Sequence, residues 1–404
     1  MAETFADGPL TGVRVLDLTT VIMGPFATHI LADLGADVIK VESPDGDLLR
    51  QYKPARHDGM SGPVLNLHRN KRSVVLDLKE PQGRAALERL IPTADVLVHN
   101  LRPQAMARLG FGYERARALR PDIVYCGAYG FSAAGPYGHK AAYDDLIQAG
   151  SGIAGLFAAV HGEPAYVPTV ICDKLAGQAI AYAVLAALYQ RARGGGGQEI
   201  EVPMFETAVE FTLVEHLTGA AFDPPLSRAG FVRLLNRGRK PYRTADGYAC
   251  ILPYSDRNWA DFYAFTGRTE FAGDVRFETL SERVQHIDIL YGMIEEEAVR
   301  RPTAEWVAFC DRVSIPCMKV LSLDELPADP HLDAVGLFGF AEHPSEGRYR
   351  TVGRPVNFSA APFRIRRPAP RLGENTAEVL ADAGLNAAEI EALTLRAANG
   401  AEPA

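Results

Sequence analysis

The sequence predicts an α/β protein built on a parallel sheet. Three observations carry that prediction. Short β-branched runs alternate with helical patterns over the first 130 residues, a long apolar helical stretch then leads into one more strand, and strand-like pieces return only from Leu337 onward. Strand–helix alternation implies parallel βαβ units and a doubly wound sheet. Val13–Leu18 reads as the first strand, Pro25–Leu34 as a helix that Gly35 ends, and Ala36–Glu42 as the second strand. Val74–Leu78, Val96–His99 and Ile123–Gly127 read as further strands, with helical segments at Gln82–Leu90 and Ala105–Leu109 between them. Lys174–Arg193 is apolar on nearly every side until its basic end, which predicts a buried helix. Gly194–Gly197 stops it, and Glu199–Pro203 resumes as a strand.

The character of the chain changes near residue 220. Asp223-Pro224-Pro225 and the basic run Arg233–Arg243 read as linker and loop, Tyr248–Pro253 as a strand, and Asn258–Phe309 as mostly helical. The expected organisation is a large domain of residues 1–220 and 331–404 interrupted by a smaller one at 221–330.

Composition narrows the function classes. Of 404 residues, 47% are hydrophobic and 23% charged, which excludes a collagen, a low-complexity chain and a coiled-coil rod. A net charge of -8 argues against indiscriminate nucleic-acid binding, yet a local basic pocket remains compatible with it. Cys126, Cys172, Cys250, Cys310 and Cys317 form no CxxC pair, a pattern expected in a reducing compartment such as the cytoplasm. Met1–Leu10 carries Glu3 and Asp7 and no signal-peptide pattern, and Ala176–Leu188 is too short to span a membrane, so neither is expected.

Gly150-Ser151-Gly152-Ile153-Ala154-Gly155 spells a dinucleotide fingerprint, but that motif needs a strand before it, and Tyr143–Ala149 reads as helix. Glu42 ends the second strand where a ribose contact can sit, although the first turn offers only Gly24-Pro25 and no glycine cradle. His68-Arg69-Asn70-Lys71-Arg72 gathers positive charge ahead of the third strand, which suits either a phosphate or a solvated loop. Asp173, just before the apolar helix, reads either as an N-cap or as a carboxylate nucleophile or base made reactive by an apolar flank. Cys172 beside it reads as packing. The ten histidines form no HxxxH or HExxH set and no G-x-S-x-G elbow is present, so no metal site and no serine hydrolase is expected.

Taken together and in chain order, Leu10-Thr11-Gly12-Val13-Arg14-Val15-Leu16-Asp17, Leu34-Gly35-Ala36-Asp37-Val38-Ile39-Lys40-Val41-Glu42, Asn70-Lys71-Arg72-Ser73, Asn100-Leu101-Arg102-Pro103, Tyr143-Asp144, Asp173, Ile315-Pro316 and Leu372-Gly373-Glu374-Asn375-Thr376 resemble the class III CoA-transferases. The α-methylacyl-CoA racemases share that family's fold. The resemblance implies a Rossmann-like large domain with a parallel sheet, built from both chain ends, a smaller α+β domain between them, and an interlocked, ring-like homodimer. It implies CoA transfer from an acyl-CoA to a free carboxylic acid, with coenzyme A as cosubstrate and no tightly bound cofactor. By position, Asp173 matches the family's catalytic aspartate. Asn70, Lys71, Arg72 and Arg108 match positions at the CoA phosphates, and Leu101 and Ala105 positions beside the adenine. Val21 and Met23 match the loop along the CoA tail, and Tyr143 an active-site tyrosine.

Departures from the family pattern sharpen this. Formyl-CoA transferase carries a glutamine where this chain has Ile22, and a glycine-rich lid where it has Asn236-Arg237-Gly238-Arg239-Lys240, so formate or oxalate specificity is not expected. The racemases place a catalytic histidine where this chain has Tyr143, ahead of Asp144. A phenol is a poor acid–base group near neutral pH, which disfavours epimerisation. A CoA-binding protein without catalysis is the other alternative, and the retained Asp173 argues against it.

Overall fold

The computed structural model describes residues 8–399; most of the segment weighed for a leader, residues 1–7, and residues 400–404 lie outside the described residues. The chain divides into two compact units, one of residues 8–153, 166–211 and 333–399, the other of residues 154–165 and 212–332.

The first unit is organised by β1 (Arg14–Leu18), β2 (Asp37–Glu42), β3 (Lys71–Val75), β4 (Val96–His99), β5 (Val124–Tyr129) and β6 (Gln198–Pro203). They form one sheet in the order β3-β2-β1-β4-β5-β6, every neighbouring pair parallel. Helices make the crossovers: α1 (Met23–Asp33), α2 (Gly62–Leu67), α3 (Pro81–Leu90), α4 (Pro103–Leu109), α5 (Tyr113–Leu119), α6 (Asp144–Gly150) and α8 (Ile171–Gln190); α7 (Ile153–His161) belongs to the second unit from residue 154 on, and α9 (Met204–His216), which follows β6, from residue 212 on. This is the α/β, doubly wound arrangement expected from the sequence, in the order typical of nucleotide-binding sheets.

Strand alternation builds two cores. Val15, Val38, Val96 and Val124 face one side, where α1 and α8 cover them with Ala27, Leu31, Ala176, Ile180 and Val184. Leu16, Ile39, Leu97 and Tyr125 face the other, against Leu87 of α3, Met106 of α4 and Ala116 of α5. After α14 (Pro330–Ala334) and the hairpin β10 (Phe338–His343) and β11 (Gly347–Val352), α15 (Thr376–Asp382) adds Val379 and Leu380 to this second core, and α16 (Ala387–Asn399) follows. Asn375 Oδ1 accepts the Ser73 N–H and Thr376 Oγ1 accepts the Val75 N–H, so the C-terminal segment blunts edge strand β3. Residues 375–382 therefore pack with the sheet that begins at β1.

The second unit pairs β7 (Tyr242–Arg243), β8 (Tyr248–Ile251) and β9 (Cys317–Lys319) antiparallel, and places them with α10 (Asp256–Thr266), α11 (Leu280–Gln285), α12 (Ile287–Ala298) and α13 (Thr303–Val313) around buried Trp306, Phe262 and Leu290.

Two elements differ from the sequence reading. Strand β3 opens at Lys71, not Val74, because Lys71 and Arg72 are buried in the sheet as ion-pair partners rather than exposed in a loop. Helix α8 opens at Ile171, which puts Asp173 inside its first turn and makes Val170 the N-cap, so Asp173 is not the cap. Nor is α8 buried all round, since Tyr182 and Tyr189 stand 63% and 64% exposed. By length and composition this helix with its tail, Ile171–Gly195, is apolar enough to cross a membrane, and half of it packs inside the protein.

Candidate active site

In an open parallel sheet, ligands bind outside the carboxyl ends of the strands, where the strand order reverses. Here that switch point lies between β1 and β4, whose neighbours run in opposite directions through the sheet. A cleft of about 240 Å³ opens there. Thr20 and Val21 follow β1, Asn100 and Arg102 follow β4, and Tyr129 and Phe131 end β5; with Met23, Lys140, Tyr143 and Asp173 they line it.

The first wall is a tight turn. Thr19 and Gly24 approach so closely that a Cβ on Gly24 would sit 2.2 Å from the threonine Cβ, so only glycine fits. Asn100 clamps the turn by accepting the Thr20 N–H at 3.0 Å and donating to the Thr20 carbonyl at 2.9 Å. Val21 has φ +70°, a left-handed conformation that strains a β-branched residue by roughly 1–3 kcal/mol.

The second wall is the start of α8. The Asp173 carboxyl enters the cleft from the first turn, and Gly177, one turn on, meets α1: a Cβ there would stand 2.8 Å from the Met23 carbonyl and 2.9 Å from the Phe26 ring. That glycine brings the first turns of α1 and α8 together. The Asp173 N–H donates to Asp144 Oδ1 at 3.0 Å, and Asp144 Oδ2 accepts from Gln148 Nε2 at 2.6 Å. Asp144, 4% exposed, thus caps α8 from a neighbouring helix.

This arrangement tunes the carboxylate. Burial first, and the Asp144 charge second, push the Asp173 pKa up to about 7. Such a rise corresponds to roughly 4 kcal/mol against the charged form. It exceeds the roughly 0.3–1 kcal/mol a helix N-terminus gives an anion. A carboxylate held half-ionised near neutral pH in a partly desolvated cleft suits nucleophilic or acid–base work. Burial pushes the Cys172 thiol up to about 12 and leaves it without exposure, so it is packing, as expected.

Of the site residues read from the sequence, Val21, Met23, Tyr143 and Asp173 meet in this cleft. Leu101, Ala105 and Arg108 are not among the lining residues; Leu101 lies just before α4 and the other two on it, with Arg108 exposed. Asn70, Lys71 and Arg72 do not line it. They open β3, at the amino edge of the sheet, and each is committed internally. Lys71 Nζ lies 3.0 Å from Asp17 and donates to Thr28 Oγ1; Arg72 pairs with Asp37, Glu378 and Asp382; the Asn70 amide donates to Asp33. A buried cation left unpaired is far costlier than a paired one, so these partners hold the side chains in place. Glu42 is likewise spent on Arg50 and Ser73, which removes it as a ribose contact. Gly150–Gly155 runs from the last residue of α6 into the first turn of α7, without the strand a dinucleotide loop requires.

The cations lining the cleft are Arg102 and Lys140, which the sequence reading did not single out. Arg102 makes no ion pair among the described residues, and Lys140 Nζ lies over the Tyr137 ring at 3.8 Å. The available signal was the position of Arg102, just past the end of a predicted strand. No cluster of three or more metal-ligating side chains occurs among the described residues.

The sheet is of the doubly wound class that binds ligands at its switch point, and Asp173 lines the cleft there. The chain belongs to CoA-transferase family III, whose model matches residues 10–376. It is similar to a succinate–glutarate CoA-transferase of Agrobacterium fabrum, 33% identical over 93% of this chain and 95% of the relative. It is also similar to a formyl-CoA:oxalate CoA-transferase of Escherichia coli, 32% identical over 95% and 98%. Among solved structures, a CAIB/BAIF family protein from Brucella suis superposes with a TM-score of 0.79 at 28% identity, covering 93% of this chain and all of that one. The protein is a class III CoA-transferase that uses CoA thioesters as cosubstrates.

Proposed function

We propose that Asp173 is the covalent nucleophile and that the acceptor is a small dicarboxylic acid. The observation that carries this reading is the Asp173 carboxyl, raised to about 7 and set in a cleft with two cations, Arg102 and Lys140. Its carboxylate attacks the donor thioester, forming a mixed anhydride and releasing CoA thiolate. The thiolate attacks the aspartyl carbonyl, giving an aspartyl-CoA thioester and free donor acid. The acceptor carboxylate then displaces the thiolate as a second anhydride, and the thiolate attacks the acceptor carbonyl, which restores Asp173. Four exchanges conserve one thioester, so the cycle needs no external energy source. Val21 and Met23 face the CoA tail, Leu101, Ala105 and Arg108 take the adenosine end, and Tyr143 the reacting carboxylate. Arg102 or Lys140 holds the remote carboxylate, in keeping with the dicarboxylates that both relatives' names contain.

The working enzyme in this reading is a homodimer. Apolar α8 with exposed Tyr182 and Tyr189 supports it, because a helix hydrophobic on most sides is stable only when covered. The large domain comprises residues 1–220 and 331–404 and the small one 221–330, and five free thiols fit the cytoplasm. Asp173→Ala should abolish transfer from succinyl-CoA to glutarate while the fold persists by circular dichroism. Substantial remaining turnover would remove Asp173 from the mechanism, and hydroxylamine capture at Asp173, read by mass spectrometry, tests the thioester directly. Racemisation finds less support, since the exposed Tyr143 stands where a histidine base is required; it predicts α-proton exchange in deuterated water.

A further inference from the structure

Behind the Val21 turn lies a charged cluster that the chemistry above does not use. Asp47, Lys40 and Asp17 are all without solvent exposure. Asp47 Oδ1 accepts the Val21 N–H at 3.1 Å and the Leu49 N–H at 3.0 Å, while its Oδ2 lies 2.8 Å from Lys40 Nζ. Lys40 Nζ also donates to the Thr19 carbonyl at 2.7 Å. Asp17 Oδ1 takes the Thr19 N–H at 3.0 Å, and Lys71 holds its other oxygen. The cluster thus grips the turn Thr19–Val21 from behind.

Four non-glycine residues among the described ones have φ in the left-handed region, and of these only Val21 lines the cleft. Such a conformation persists only where its surroundings over-determine it. We propose that Lys40 and Asp47 are positioning residues: as a buried ion pair they hold Val21 in its left-handed conformation and so fix the cleft wall that CoA meets. Asp47 supplies the acceptor that selects this conformation of Val21. Lys40 orients Asp47, and ties the same pair to the Thr19 carbonyl two residues earlier. Neither side chain touches the cleft, so both act through the backbone of the turn.

The proposal rests on the CoA reading of the cleft, and the test separates the two. Glycine enters the left-handed region without steric penalty, so Val21→Gly should make the turn independent of Asp47. Wild type, Val21→Gly, Asp47→Ala and the double variant are titrated with free CoA by calorimetry and assayed with succinyl-CoA and glutarate. Asp47→Ala should weaken CoA binding and slow turnover by about tenfold or more in the wild-type background, and by less than about threefold in the Val21→Gly background. Equal losses in both backgrounds, or no loss at all, overturn the proposal. A residue that only stabilised the fold would lower the melting temperature equally in both and show no such coupling. If Asp47→Ala does not fold, Asp47→Asn carries the same test, since it keeps the acceptor but releases Lys40; coupling of about fivefold is then expected, and additivity overturns the idea. Failure of the CoA reading itself would show earlier, as wild-type protein that does not bind CoA.

Discussion

At the scale of single residues, environment assigns the chemistry. Three carboxylates near the carboxyl end of β1 and the start of α8 share a side-chain type and differ in surroundings. Asp17 is fully buried, yet Lys71, Lys40 and the Thr19 and Thr28 hydroxyls together outweigh desolvation and hold it at about 2. Asp144 is spent on the Asp173 N–H and Gln148. Asp173 has burial and a like charge beside it, and rises to about 7. Its nucleophilic form is the anion, so turnover should climb with pH through about 7, read as kcat/KM against pH. Replacing Asp144 by Asn removes the neighbouring charge and should move that acid limb to lower pH; an unmoved limb would show that Asp144 does not act electrostatically. Stability carries the opposite sign. Between about 4 and about 7 the folded state keeps a proton on Asp173 that the unfolded state has lost, so stability falls as pH rises through that window. Asp173→Asn should therefore match wild type in melting temperature at low pH and exceed it above about pH 7. Asp173 was legible in the sequence as a carboxylate at a helix start with an apolar flank, in keeping with the burial that chiefly raises its pKa; the added Asp144 charge was not, because Asp144 lies 29 residues away along the chain.

At the scale of elements, the packing of α1 on α8 sets the site. Both helices open toward the cleft, and their approach depends on Gly177. Gly177→Ala places a methyl group against the Met23 carbonyl and the Phe26 ring and should destabilise the protein by about 1–3 kcal/mol in denaturant melts. Turnover should fall further than stability alone explains, because α1 carries Met23 into the cleft. The helix and strand pattern of this unit was legible from period and β-branched content. Strand β3 was misplaced by three residues because a lysine and an arginine read as loop, whereas Asp17 on β1 and Asp37 on β2 neutralise them inside the sheet. No local pattern reports such a partner, since the pairing spans 54 residues for Lys71.

At the scale of the whole molecule, the proposed homodimer is tested on α8. In one chain its Tyr182 and Tyr189 are exposed. Wild-type protein should sediment at twice 43.8 kDa, and Tyr182→Asp with Tyr189→Asp should shift it toward the monomer; an unchanged dimer would place the interface elsewhere. Its composition alone marks this helix as wholly buried, which follows only when a single chain is assumed to cover it.

Local periodicity and motifs that need no partner to be recognised carry the α/β class, the succession of its parallel strands, the class III resemblance and the choice of Asp173 as the candidate reactive group. The folded sheet adds that Asn70, Lys71 and Arg72 are internal ion-pair and hydrogen-bond partners, that Arg102 and Lys140 are the cations at the cleft, and that Lys40 and Asp47 stand behind Val21. A charge read along a chain has no known counter-charge. Whether it is a solvated patch, a ligand contact or half of a buried pair depends on what strands β1, β2 and β4 bring beside it, and that is a property of the folded sheet.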